Sequence, residues 1–71
     1  MIYHHGKVDL TAGRVYDRYY YDTEQEASRH LEMMRSEGRK APGYFMAHYY
    51  TPEGLHLSWG IDFNLGTIEV S

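Results

Sequence analysis

Cysteine is absent from the chain, which excludes disulfides and thiolate metal ligands and suits a reducing, cytoplasmic location. No apolar run is long enough to cross a bilayer, and the N-terminus lacks the basic-then-apolar pattern of a signal peptide, so no membrane association is expected. Proline occurs twice, and repeats, linkers and low-complexity segments are missing, so residues 1–71 should form a single compact domain. Basic side chains are scarce: seven Lys and Arg face ten Asp and Glu, for a net charge of −3. Affinity for nucleic acid comes largely from Lys and Arg neutralising phosphates, so nucleic acid ranks below protein as a partner. A Gly-rich phosphate loop, a nucleophile elbow and a suggestive carboxylate pair are also lacking. A domain this small leaves little room for a reaction cavity. The expectation is a chain without enzymatic activity, cofactor or metal site.

Tyrosine, by contrast, is abundant, with eight residues. Four of them fall in the run "RVYDRYYYD", Arg14 to Asp22. On a strand Tyr19 and Tyr21 share one face, and Tyr16 and Tyr20 the other. A two-layer domain has one covered face, so one pair should enter the core and the other should stay accessible. The sequence leaves open which pair does which.

A helix should follow from about Glu24 to Glu37. Thr23 and Glu26 have capping-box spacing, and Glu24 and Glu26 complement the positive end of the helix dipole. Ala27, Leu31 and Met34 make one apolar stripe with His30 at its edge, and Gly38 stops the helix. After it the hydrophobic period changes to two. "GYFMAHYY" and "LHLSWGIDF" read as a hairpin joined by "TPEG", in which Gly54 closes a three-residue loop. This loop sets Thr51 opposite Leu55, Tyr49 opposite Leu57, Ala47 opposite Trp59 and Phe45 opposite Ile61. "NLG" should then turn at Leu65-Gly66 into a last strand carrying Ile68 and Val70, and Gly60 could host a bulge that changes the parity. Upstream, "KVDL" and "RVYDRYYY" flank "TAG" as a further hairpin, with Leu10 opposite Val15 in one register and Val8 opposite Tyr16 in the other. The fold class is α+β: an antiparallel-rich sheet of 4-5 strands with one helix packed on one face, in the order β-β-α-β-β-β.

This register places Tyr44, Met46, His48 and Tyr50 on the sheet face away from the helix, with His56 beside them. Tyrosine and methionine are enriched at the centres of interfaces, so these residues, with Tyr19, Tyr20 and Tyr21, are the candidate protein-binding surface. His48 and His56 share a face without an evident third ligand. In size and composition the chain is similar to phage- and plasmid-encoded inhibitors of bacterial defence, anti-CRISPR proteins among them, or of host enzymes, with no shared motif. The expected function is that of a small protein-binding inhibitor that covers a functional surface with a Tyr-rich, mildly acidic face. The alternatives are a sheet that stacks nucleic-acid bases on exposed tyrosines and a homodimer formed through an unprotected edge strand.

Overall fold

A computed structural model describes residues 2–67, with side chains described through residue 63. Its elements are β1 (Ile2–Asp9), β2 (Arg14–Tyr21), α1 (Glu24–Ser36), β3 (Tyr44–Tyr50) and β4 (His56–Thr67). The four strands form one antiparallel sheet in the order β1-β2-β4-β3. The element order is β-β-α-β-β, and the further strand expected around Ile68 and Val70 lies outside the described residues.

The helix begins and ends where local chemistry dictates. Thr23 is extended, and its Oγ1 accepts the Glu26 N–H at 3.2 Å. At the other end Gly38 takes φ +89°, the Arg39 N–H reaches Met34 O at 2.9 Å, and the Gly38 N–H reaches Arg35 O at 3.0 Å. These two bonds make a Schellman cap that satisfies carbonyls the helix would otherwise leave open. Ala27, His30, Leu31 and Met34 are buried and pack with Tyr21, Ile61 and Phe63, with Tyr19, Ala41 and Trp59 at the margin. The helix thus lies over the two central strands and touches β3.

The β3–β4 loop closes as its sequence demands. Thr51 N–H donates to Leu55 O at 2.9 Å, Gly54 N–H donates to Thr51 O at 2.8 Å, and Gly54 has φ +88°. Tyr49 pairs with Leu57 as expected, but the register then slips by one between Met46 and Tyr49. Met46 is opposite Trp59 and Tyr44 opposite Ile61, in place of the expected Ala47 and Phe45. The reason is Gly60, now opposite Phe45. A Cβ on it would lie 2.9 Å from the Ala47 Cβ and 3.2 Å from the Phe45 ring. The missing side chain lets β3 press its inward residues against β4, and a bulge absorbs the slip.

Two further expectations are corrected. β1 and β2 pair with Val8 opposite Val15 and Lys7 opposite Tyr16, one residue away from the expected register that set Val8 against Tyr16 and two away from the one that set Leu10 against Val15. The connection is a four-residue turn, Leu10 to Gly13, in which Asp9 Oδ1 accepts the Ala12 N–H at 3.0 Å and Gly13 has φ +67°. The chain also does not turn at Leu65-Gly66. β4 continues to Thr67, pairing Gly66 with Val15 and Thr67 with Arg14. A shift in the β2–β4 register between Val15 and Tyr16 steps over Leu65. The uncommitted edge of β2 offers a full ladder of donors and acceptors there, and that outweighs the local turn signal.

The sheet is curled. β1 and β3 are its two edges, about 14 Å apart at three strand spacings. Yet the rings of Tyr3 and Tyr49, one from each edge, meet at 5.1 Å on the side away from the helix. Tyr49 also stacks on Tyr20 at 4.4 Å with 11° between the planes. A second, thinner packing layer therefore exists beneath the sheet, and Tyr20 is 5% exposed within it.

Candidate protein-binding surface

The tyrosine run divides between the two layers, and neither pair is left open to solvent. Tyr21 is fully buried under the helix, its hydroxyl hydrogen-bonded to His30 Nδ1. Burial pushes the Tyr21 phenol well above its usual pKa and lowers that of His30, which the Arg39 charge lowers further. Tyr19 is half-buried on the same side, edge-on to Phe63 and His30. Tyr20 belongs to the layer beneath. Tyr19, Tyr20 and Tyr21 are thus packing residues, a correction to their expected place on the contact surface. The expected division into a buried and an accessible pair fails because rings from both edge strands fold over the uncovered face.

β3 carries the accessible row. Along it Phe45, Ala47 and Tyr49 are half-buried, while Tyr44, Met46, His48 and Tyr50 are exposed. The inward set faces the layer beneath: Arg18 lies 5.2 Å over the Phe45 ring, and Tyr49 joins the tyrosine stack. The outward set therefore stands on the same side as the helix, opposite to the expected placement, because the slip between Met46 and Tyr49 sets Tyr44 and Met46 beside Ile61 and Trp59. The row is nevertheless uncovered, since the helix reaches only its first member. The Tyr44 hydroxyl donates to Glu24 Oε1 at 2.8 Å, and its ring meets Trp59 edge-on at 5.6 Å. Glu24 also raises the Tyr44 phenol pKa through that hydrogen bond. Met46 is 66% exposed and Tyr50 68%. Tyr50 stacks on His56 at 4.8 Å, and His48 Nδ1 is 2.9 Å from His56 Nε2. Leu55 extends the row into the hairpin loop, where it is exposed.

The row has three properties of an interface. Among the described residues β3 lies at the sheet edge, so one line of its backbone donors and acceptors has no described strand beside it. "YFMAHYY" contains no charged residue or proline, the usual guards of such an edge. Its rim carries exposed Glu24 at one end and Glu53 at the other. By contrast, the other edge strand, β1, carries Lys7 and Asp9.

A cleft of about 530 Å³ lies between the layer beneath the sheet and the α1–β3 connection, lined by residues that include Arg14, Tyr16, Arg18, Lys40 and Asp62. Its most prominent feature is internally satisfied. Arg18 Nε and Nη2 donate to the two oxygens of Asp62 at 2.6 and 2.9 Å, and this pairing raises the Arg18 pKa. Sequence reasoning missed both this pair and the tyrosine layer, because each joins residues brought together only by the β2–β4 pairing. On the helix side a comparable bridge forms. Asp17 accepts from Arg39 Nη2 at 3.0 Å and lies 2.6 Å from His4 Nε2. Among the described residues no group of three or more His, Cys, Asp or Glu is placed to hold a metal ion. No helix among them is long and apolar enough to cross a membrane.

Comparison with protein-family models, with curated proteins and with solved structures returns no match.

Proposed function

We propose that this chain is a non-enzymatic protein-binding module that presents the outward row of β3 to a partner protein. The observation that carries the reading is the uncovered alignment of Tyr44, Met46, His48 and Tyr50 on an edge strand without a charge. Met46 and Tyr50 are the anchors, each about two-thirds exposed in the free chain. Both residue types are favoured in interface cores, and an open strand edge adds main-chain hydrogen bonds. Glu24 and Glu53 at the rim, with the net charge of −3, suit a partner whose apolar pocket is ringed by basic groups. Such a module acts by covering that surface. This is the way a phage- or plasmid-encoded inhibitor would block a defence or host enzyme that normally engages nucleic acid.

The deciding experiment is affinity capture from the source cell with the wild-type chain and with a Met46→Asp, Tyr50→Ala variant. A partner held by the first and lost by the second, at equal melting temperature, supports the reading. Equal capture by both would overturn it. Retention on heparin at moderate salt would favour the base-stacking alternative.

A further inference from the structure

His48 and His56 meet across the β3–β4 hairpin with Nδ1 of the first 2.9 Å from Nε2 of the second. The ring centroids are 5.1 Å apart and the planes differ by 18°. A linear, nearly coplanar nitrogen-to-nitrogen contact gives these values, so the rings meet edge to edge. One nitrogen carries the shared proton and the other is bare. Both side chains are exposed, so an ion reaches them without any rearrangement of the core. Tyr50 lies opposite His56 in the ladder and stacks on its ring, which holds the imidazole plane in place.

The spacing suits a particular coordination. Two imidazoles bound at about 2.0–2.1 Å and at right angles place their nitrogens about 2.9 Å apart. A tetrahedral arrangement at the same bond length needs roughly 3.3 Å. The observed distance, here that of a direct hydrogen bond, equals the right-angled separation, and each ring turns by about 45° within its plane to aim its lone pair at a shared ion.

We propose that His48 and His56 form a two-imidazole site for a tetragonal divalent transition-metal ion. Cu2+ is held most tightly and Ni2+ less so, in line with the general order of affinities. Loading conserves protons in the neutral pair. The ring that now donates moves its proton to its outward nitrogen, and both facing nitrogens then bind the ion. Water or a ligand from another molecule fills the remaining positions, so the ion exchanges readily. The other adjacent pair, His4 and His5, is no rival: neighbours on a strand point to opposite faces, and His4 is engaged by Asp17. The proposal does not depend on the protein-binding reading.

The test is titration of the intact chain with Cu2+ in a non-coordinating buffer, followed by visible absorption and electron paramagnetic resonance. One ion per chain is expected, with hyperfine structure from two nitrogens. His48→Ala and His56→Ala should each weaken binding by about tenfold or more, because the second ligand acts intramolecularly. The His4→Ala, His5→Ala variant should bind as the wild type does. In the unmodified chain, paramagnetic broadening of NMR signals should centre on Ala47, His48, His56 and Leu57. Undiminished binding in both hairpin variants, broadening centred on the N-terminal strand, or no binding at millimolar ion would overturn the proposal.

Discussion

Tyr21 and His30 bind each other in the driest part of the molecule, so changing either exposes what the pair contributes. Tyr21→Phe keeps the ring and removes the hydroxyl, leaving His30 Nδ1 without its hydrogen bond. A loss of about 1–3 kcal/mol is expected in urea unfolding, and an unchanged midpoint would show that the bond contributes nothing. His30 also makes stability depend on pH. Its folded pKa lies below the ordinary value, so the unfolded chain binds the proton more readily. This contribution is complete above about pH 6.5 and is lost as pH falls through the lowered folded value. Unfolding midpoints at pH 7.5 and 5.5 should differ less in His30→Gln than in the wild type. Tyr20→Ala should cost about 3–5 kcal/mol, the range for a buried aromatic, whereas Tyr50→Ala should stay within about 0.5 kcal/mol. Alternation along the strand separates Tyr20 from its two neighbours correctly. It does not show that Tyr3 and Tyr49 reach over Tyr20, because that depends on sheet curvature.

The elements divide into those decided locally and those decided by their neighbours. Thr23, Gly38 and Gly54 act within a few residues of themselves, so the helix and the β3–β4 loop are legible in the sequence alone. Sheet register is a different matter. The loop correctly sets Tyr49 against Leu57 and Thr51 against Leu55, yet the bulge three residues further along changes every pair beyond it. Gly60 is the cause, and Gly60→Ala should cost about 1–3 kcal/mol through the clash with Ala47 and Phe45. Full retention of thermal stability would mean that β3 can retreat freely from β4. The "NLG" segment fails as a turn signal for a related reason: an open strand edge on β2 competes for the same backbone groups.

For the whole molecule, the consequence of this partition is that the surface row is kept although its expected side is not. Tyr44, Met46, His48, Tyr50 and His56 stand out by alternation, and all five are exposed. Alternation is preserved along β3 even where register is not, which is why the row is readable and its side is not. Met46→Lys places a charge on the unguarded edge and should leave the melting temperature nearly unchanged. It should also abolish any self-association seen by sedimentation at high concentration. Persistence of a dimer in this variant would move the contact to another face. The order β1-β2-β4-β3 also governs how the chain reaches this state. The central ladder joins Arg14 to Thr67 and Tyr21 to Trp59, partners separated by more than half the chain. The middle of the sheet therefore cannot form before a long loop has closed, and both aromatic layers wait for that event. Refolding should be slow for so short a chain, roughly milliseconds to seconds, with the two hairpins present as separate, poorly protected fragments until they dock.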